Sequence, residues 1–314
     1  MSLATYEHAQ DVLTAAIGFA KSGERVALAM VIATEGGSVR TPGALMAISQ
    51  SGQTAGYLSG GCIDADVSLQ AREALEAGDV RHLRYGRGSP FADIKLPCGG
   101  AIGILITPHA GIDALLAARD RLAARESVSL GIAPGGQIIV GLPRVSGEFF
   151  RTTYRPKLAL RIAGRGADCL ALARVALAAQ IDVRLQLPDA ADMRAARSVS
   201  MPGITTLSTP GTLPPTGDDT STAFALMFHD SEWESPLLQQ ALAGPAFYIG
   251  AVGSRATHQR RCDALRASGT NSQNINRIHG PIGLVPSMRD ASMLAISVLS
   301  EIVAAYHAVE AVHV

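Results

Sequence analysis

The sequence predicts an α/β protein in which an N-terminal α/β domain is followed by a Rossmann-like domain with a mostly parallel sheet. A chain of 314 residues, 47% of them hydrophobic, has enough apolar material for the cores of two ordinary domains. Near residue 158 the pattern changes from strands grouped in hairpins to strands that alternate with helices. The predicted division is a domain at 1–143, a polar linker at 144–157 and a second domain at 158–314.

In the first half, apolar residues recur at helical spacing near the N-terminus, and a β-branched apolar run follows them. Ser51-Gly52 predicts the turn of a hairpin, and Gly78 predicts the end of a helix. The predicted elements are a helix at 4–21, a strand at 25–34, a hairpin of 44–48 and 54–58, a helix at 64–77, strands at 80–85 and 102–107, a helix at 113–125 and a hairpin around 134–136.

In the second half, four short apolar runs are separated by helical patterns, which indicates βαβ units on a parallel sheet. These predicted strands lie at 158–163, 183–187, 223–228 and 247–250. Residues 208–222 are rich in Thr, Pro, Gly and Asp, which is typical of a mobile loop.

Composition narrows the choice of partner and compartment. Lys and Arg together balance Asp and Glu at 27 each, so no global charge attracts nucleic acid. Glu7 and Asp11 stand where an export signal needs an apolar run, and glycines and prolines interrupt the longest uncharged stretch, 128–143. Four scattered cysteines form no disulfide framework and fit a reducing compartment. We therefore expect a soluble cytoplasmic protein that does not enter a membrane.

Two cysteines stand beside glycine pairs, in Ser59-Gly60-Gly61-Cys62 and in Pro97-Cys98-Gly99-Gly100. Glycine leaves backbone amides uncovered and allows a bulky ligand to approach the sulfur. The two cysteines are 36 residues apart, which fits no compact zinc or redox motif. Each is a candidate reactive thiol, and the alternative is a small packed residue at a tight turn.

A second motif follows the first predicted strand of the second domain. Gly164 and Gly166 have the positions of two glycines in a dinucleotide fingerprint, where amides at a helix start attract phosphate. Cys169 replaces the third glycine, and Gln186 precedes a displaced acid, Asp189, at the end of the next strand. The motif therefore favours a Rossmann-like fold more than routine use of NAD.

A third motif, Gly253-Ser254-Arg255, ends a strand and begins a helix. Gly253 permits close approach of the backbone, Ser254 is a good N-cap, and Arg255 can pair with a phosphate or a carboxylate. The carboxyl edge of a parallel sheet is where such folds bind ligands. A capped helix with a solvated basic face is the alternative.

Taken together, these motifs resemble the xanthine dehydrogenase accessory factor family, the XdhC/CoxI family, over nearly the whole chain. The order and joint presence of the motifs carry the resemblance. They are Glu35-Gly36-Gly37-Ser38, Arg40-Thr41-Pro42-Gly43-Ala44, the two glycine-cysteine motifs, the turn at Gly164 and Gly166, residues 247–255, and Ile278-His279-Gly280-Pro281-Ile282-Gly283-Leu284 before a helix with Glu301.

The resemblance implies a protein that binds the molybdenum cofactor in its molybdopterin form, supports sulfuration of this cofactor and delivers it to a molybdenum hydroxylase such as xanthine dehydrogenase. A cysteine desulfurase is the second implied partner. A thiolate is a soft ligand for a metal that already has sulfur ligands, or it can carry a persulfide. Cys62 is the first choice for the reactive thiol and the metal contact, and Cys98 is the second. The residues expected to bind the cofactor are Gly60, Gly61, Cys62, Cys98, Gly99, Gly100, Gly164, Gly166, Gly253, Ser254 and Arg255.

Two other functions stay open at the level of sequence. One is an NAD(P)-dependent oxidoreductase with a nucleotide at the Rossmann-like site. The other is a non-catalytic docking partner of a molybdenum hydroxylase. An accessory protein is favoured over a stand-alone enzyme, and the sequence leaves both a monomer and a homodimer open.

Overall fold

The computed structural model describes residues 7–37, 40–89, 99–141, 147–198 and 201–311. The chain forms two compact units, unit 1 at Met1–Pro156 and unit 2 at Lys157–Val314.

Unit 1 contains three helices and eight strands in its described residues. In chain order they are α1 (Ala9–Lys21), β1 (Val26–Glu35), β2 (Leu45–Ser49), β3 (Thr54–Gly56), α2 (Asp64–Ala77), β4 (Arg81–Gly86), β5 (Ala101–Thr107), α3 (Ile112–Ala123), β6 (Val128–Ile132), β7 (Ile138–Val140) and β8 (Phe150–Tyr154).

The main sheet of unit 1 is antiparallel, in the order β3-β2-β1-β5-β4, and a second sheet has the order β7-β6-β8. Successive residues of β1 enter two different cores, because side chains alternate between the faces of a strand. Leu28 and Met30 pack with α1, α3 and the second sheet. Ala29 and Val31 pack on the other face, against the apolar side of α2. Both faces of β1 are therefore covered.

The boundary between the units differs from the predicted linker. Strand β8 lies within residues 144–157 and pairs with β6 from Val128↔Tyr154 to Ile132↔Phe150. These residues are part of unit 1, and unit 2 begins at Lys157. The polar sequence of β8 suggested a linker because this strand is only half-buried and shows little apolar alternation.

Unit 2 contains six helices and six strands in its described residues. In chain order they are β9 (Ala159–Gly164), α4 (Gly166–Ala178), β10 (Asp182–Leu187), α5 (Ala190–Ser198), β11 (Ile204–Thr206), β12 (Thr222–Met227), α6 (Ser231–Ala243), β13 (Tyr248–Ala251), α7 (Arg255–Ala267), α8 (Ser272–Ile275), β14 (Ile278–His279) and α9 (Ala291–Ala311).

The sheet of unit 2 is parallel throughout and has the order β11-β10-β9-β12-β13-β14. This is the strand order of a Rossmann fold, so the predicted fold class is confirmed. Helices α4 and α9 contribute to the core on one face, and α6 and α7 contribute to the core on the other. The order reverses between β9 and β12, which places the topological switch point at the loops that follow these two strands.

A buried ion pair fixes the loop that was predicted to be mobile. Arg161 in β9 donates from Nη2 to Asp218 Oδ2 at 2.7 Å and from Nε to Asp218 Oδ1 at 2.9 Å, and both side chains are almost completely buried. The guanidinium also lies 3.9 Å from the centre of the Phe224 ring and donates to Gln186. The loop at 208–222 is therefore anchored to the sheet near its end.

Helix α9 is the longest helix of the chain that the structure describes. Its stretch Ala291–Ala308, with a mean hydropathy of 1.4, is long and apolar enough to cross a membrane by length and composition alone. A core helix of a soluble protein meets the same criterion. Here α9 packs against α4 with Ala295, Val298 and Ile302 completely buried. Only 28% of the stretch is buried, however, and Met293, Ile296 and Val303 are exposed.

We predict that Asp218→Ala destabilises unit 2 by about 3–5 kcal/mol, because it leaves the charge of Arg161 buried without its partner. Urea unfolding measures the loss. The matched control is Asp263→Ala, which removes an exposed partner of Arg266 and is expected to cost less than about 1 kcal/mol. Equal losses in the two variants would contradict the structural role of the buried pair.

Candidate functional site

The turn that carries Cys62 has a backbone that requires glycine. Gly60 has a φ of 73° and Gly61 a φ of 108°, both in the left-handed region that side chains disfavour. Among the described residues, and apart from the two chain neighbours of Gly61, no atom lies within 4 Å of the place where a Cβ of Gly61 would stand. Cys62 is a free, exposed thiol two residues before the start of α2. In the part of the chain that the structure describes, the Cys62 thiol and the space beside Gly61 are therefore open to a ligand.

Asp64 holds this turn together. Its Oδ1 accepts from the amides of Leu58 and Ser59 at 2.9 and 3.1 Å and from the Ser59 hydroxyl at 3.2 Å. Its Oδ2 accepts from the amide of Gly61 at 2.8 Å. The Ser59 hydroxyl in turn accepts from the amide of Ile63 at 3.0 Å. One carboxylate thus fixes both sides of the loop that presents Cys62.

Two contacts at opposite ends of α2 show which end of the sheet the Cys62 turn occupies. Asp66, in the first turn of α2, accepts from the Tyr85 hydroxyl at 2.5 Å, near the end of β4. Leu75, in the last turn, accepts from Arg25 at 2.5 Å, just before β1. Helix α2 therefore runs against β1 and begins at the end of the sheet where β1 and β4 finish and β5 starts. Burial and the bond to Asp66 raise the pKa of Tyr85 above its usual value, so the hydroxyl stays a donor.

The second glycine-cysteine motif enters the sheet at the same end. A Cβ at Gly100 would lie 2.4 Å from the carbonyl oxygen of Glu35 and 2.9 Å from that of Gly37, so the backbones meet directly there. No described residue other than its chain neighbours lies within 4 Å of the place where a Cβ of Gly99 would stand. Cys98 itself lies outside the described residues. The Cys62 turn and the glycines that follow Cys98 therefore lie at the same end of the sheet, and Gly100 is a packing residue there.

A cation lies next to the Cys62 loop. The guanidinium of Arg40 is 4.6 Å from the centre of the Tyr57 ring, and Tyr57 directly precedes the loop that Asp64 organises. Arg40 belongs to a motif of the family resemblance and was not predicted as a site residue. Its position became visible only when β3 brought Tyr57 beside it, because the two residues are separated by a hairpin in sequence.

The turn before α4 has a different arrangement. Gly166 has a φ of 77°, and its amide donates to Asp192 Oδ2 at 2.7 Å. Cys169, at the place of the third fingerprint glycine, is completely buried, and burial together with Asp192 and Asp168 raises the pKa of its thiol to about 12. The predicted phosphate-binding amide thus has an internal acceptor. Sequence reasoning missed Asp192, which lies 26 residues further along the chain.

In the turn before α7, Ser254 and Arg255 are exposed to solvent. Ser254 caps the helix by accepting from the amide of Thr257 at 3.1 Å, as predicted. Arg255 is exposed, and the first turn of α7 contains no acidic residue. Arg261 is buried instead, where it pairs with Glu234 at 2.9 Å and donates to the carbonyl of Val252. Arg255 is therefore exposed at the start of α7 and available to an anion, whereas Arg261 is a buried core residue.

Glu301 and His279, both from motifs of the resemblance, meet at the edge of the parallel sheet. Glu301 accepts from the Tyr248 hydroxyl at 2.8 Å and from the amide of Gly283, and its Oε1 lies 3.5 Å from His279 Nδ1. The rings of Tyr248 and His279 are stacked with their centres 4.5 Å apart. This arrangement holds the half-exposed His279 ring in one orientation.

In the described residues, no group of three or more His, Cys, Asp or Glu side chains lies close enough together to hold a metal ion. Within the described residues, Cys62 would therefore be a single ligand, and the other ligands of the metal would have to come from the bound group itself.

Comparisons with known proteins give a consistent result. A sequence profile described as the XdhC Rossmann domain matches residues 160–302, and one described as the XdhC and CoxI family matches residues 19–86. The chain is 33% identical over 298 residues to the molybdenum cofactor insertion chaperone PaoD of Escherichia coli strain K12, a match that covers 93% of this chain and 87% of that protein. A solved structure described as a xanthine dehydrogenase from Bacillus halodurans has a TM-score of 0.74 at 20% identity, over 96% of both chains, which shows a shared fold.

We predict that Asp64→Ala lowers the free energy of unfolding by about 1–3 kcal/mol, because it removes the acceptor of three amides and one hydroxyl. Hydrogen exchange should become faster at the amides of Leu58, Ser59 and Gly61. Glu76→Ala, an exposed acid near the other end of α2, is the matched control and should change neither quantity. Unchanged protection of these three amides in Asp64→Ala would show that another group holds the turn.

We also predict that a thiol-alkylating reagent modifies Cys62 in the folded protein at pH 8 and leaves Cys169 unmodified. Cys169 is buried, and a pKa of about 12 leaves roughly one thiol in 10,000 as thiolate at that pH. Peptide mass spectrometry identifies the modified residues, and labelling in denaturant confirms that Cys169 can react when exposed. Comparable rates at both cysteines in the folded protein would contradict the structure.

Proposed function

The chain belongs to the XdhC and CoxI family, and on that premise we propose that it binds the molybdenum cofactor and delivers it to a molybdenum hydroxylase. The similarity to PaoD, a molybdenum cofactor insertion chaperone, extends over 93% of this chain and supports the proposal. The observation that carries it is the exposed Cys62 thiol on a turn that two glycines and Asp64 fix in place. The protein acts in this proposal as an accessory protein and not as a stand-alone enzyme.

The residues at the Cys62 turn fit such a ligand chemically. When bound, the cofactor supplies a molybdenum atom with sulfur ligands, and a thiolate is a matching soft ligand. Among the described residues, Gly61 and Gly99, at the same end of unit 1, each have open space where a Cβ would stand. Gly60 provides the left-handed backbone that the turn needs, whereas Gly100 contributes packing. Cys98 stays the second candidate thiol on the evidence of the sequence.

Sulfuration is the finer part of the proposal, with a cysteine desulfurase as the sulfur source. The Cys62 thiolate attacks the outer sulfur of a persulfide on the desulfurase, which forms a new S–S bond and releases the desulfurase thiolate. This transfer needs no external oxidant or reductant. An exposed thiol on a fixed turn is suited to this transfer, because the persulfide of the desulfurase must come into direct contact with the Cys62 sulfur.

In unit 2, we assign the start of α7 as the place where a phosphate binds. Ser254 and Arg255 lie at a helix N-terminus without an acid in its first turn, and Gly253 precedes them. At the start of α4, by contrast, the Gly166 amide already donates to Asp192. The three motif residues at α7 therefore stay candidates, whereas Gly164 and Gly166 have another explanation within the fold.

The proposed partner is a hydroxylase of the xanthine dehydrogenase type, and the proposed compartment is the cytoplasm. Cys62, Cys169 and Cys262 are all free thiols, as expected in a reducing compartment. A homodimer of this chain remains a prediction.

The test is the cofactor content of the full chain purified from a host that makes the molybdenum cofactor. Molybdenum is measured by elemental mass spectrometry and the pterin by fluorescence after oxidation. We expect both in the wild-type protein, at least about a tenfold loss in Cys62→Ser, equivalent to about 1.4 kcal/mol of binding, and a smaller loss in Cys98→Ser. The control is Cys169→Ala, which removes a buried thiol and should keep the cofactor.

Two results would count against the proposal in different ways. Wild-type protein that co-purifies with the hydroxylase and carries neither molybdenum nor pterin would indicate a docking partner that does not bind the cofactor. Full cofactor content in Cys62→Ser would keep the cofactor-binding function and reject the assignment of the thiol.

A further inference from the structure

The turn between β9 and α4 stands where a Rossmann fold holds the pyrophosphate of a dinucleotide. Its second glycine, Gly166, normally offers its amide to a phosphate oxygen. In this chain the Gly166 amide donates to Asp192 Oδ2 at 2.7 Å. Asp192 lies in the first turn of α5, which follows β10 at the same carboxyl edge of the sheet. An internal carboxylate oxygen thus occupies the position of a phosphate oxygen.

The side chain of Arg165, within the same turn, is also engaged. Its Nη2 lies 3.5 Å from Asp230 Oδ2 and its Nε lies 3.8 Å from Asp189 Oδ2, while its guanidinium lies 5.4 Å from the centre of the Phe228 ring. One cation therefore faces two carboxylates, and Asp192 adds a third at the neighbouring residue. The surroundings of this turn repel a phosphate where a dinucleotide site attracts one.

The group that holds the ribose in a dinucleotide site is missing as well. An acid at the end of the second strand normally accepts from the ribose hydroxyls. Here Gln186 stands near the end of β10, is buried, and accepts from Arg161 Nη1 at 3.2 Å. The displaced acid, Asp189, faces Arg165. Gln186 is therefore not free for a ribose, and the exposed Asp189 shares its charge with Arg165.

Both fingerprint glycines have an explanation that needs no phosphate. A Cβ at Gly164 would lie 2.5 Å from the Cβ of Met227 on the adjacent strand β12, so glycine is required for strand packing. Gly166 has a φ of 77°, so glycine is required by the backbone. The motif that resembles a dinucleotide fingerprint is therefore accounted for by the fold of unit 2 alone.

We propose that Asp192 is a specificity-determining residue: its carboxylate occupies the phosphate position at the start of α4 and excludes dinucleotides from the Rossmann-like unit. The inference is independent of the proposed cofactor-binding function, because it concerns a ligand that unit 2 rejects. In this proposal, unit 2 keeps the glycine turn of a Rossmann fold, and the carboxylate of Asp192 takes the place of the dinucleotide's pyrophosphate.

The test is calorimetric titration of the full chain with NADH and, separately, with inorganic pyrophosphate. For wild-type protein we expect no binding tighter than a Kd of about 1 mM, and for Asp192→Ala at least about tenfold tighter binding of both probes. The matched control is Asp168→Asn, which removes one negative charge from the first turn of α4 and leaves the Gly166 amide covered. It should behave like the wild-type protein.

Three results would overturn the proposal. They are micromolar binding of NADH by wild-type protein, no gain in a folded Asp192→Ala, and an equal gain in Asp168→Asn, which would assign the effect to general charge. Thermal unfolding followed by circular dichroism shows whether Asp192→Ala is folded. If it is not, Asp192→Asn removes the charge and keeps an acceptor oxygen, and a pyrophosphate affinity equal to that of the wild-type protein would reject the proposal.

Discussion

Backbone amides at a glycine turn before a helix need acceptors, and in both units an aspartate of the chain supplies one. Such amides have no partner within the helix, and leaving them unpaired costs free energy. Asp64 accepts from three amides before α2, and Asp192 accepts from the Gly166 amide before α4. The same physical requirement therefore shapes both the Cys62 turn and the glycine turn at the start of α4.

The consequences of the two aspartates are opposite. Asp64 belongs to the helix that follows its turn, so it accepts hydrogen bonds from amides of its own loop and leaves Cys62 exposed. Asp192 comes from another helix and covers the turn from outside, where a ligand would stand. The neighbouring thiols differ accordingly, since Cys62 is open to solvent and Cys169 is buried with a raised pKa. Whether a glycine turn near a cysteine is open to a ligand thus depends on which side chain accepts the hydrogen bonds of its amides.

Much of the fold was predictable because its elements are long and periodic. The predicted helix at 64–77 coincides with α2, and those strands of the two main sheets that were predicted lie within one or two residues of their predicted places. The short strands β8, β11 and β14 were not predicted, because two to five residues with mixed polarity show no reliable period. The polar composition of residues 208–222 predicts a mobile loop, because the buried partner of Asp218 lies 57 residues away and is not visible in the local sequence.

The sequence by itself determined the fold class, the two glycine-cysteine motifs and the family, since these depend on local patterns and on their order along the chain. Only the tertiary structure decided which glycines border open space, that α2 begins at the end of the sheet where Gly99 and Gly100 enter, and that Asp192 covers Gly166. The reason is that hydrogen-bond partners and burial depend on contacts between distant segments. A polar residue in sequence shows what it can donate or accept, and the fold decides which group it meets.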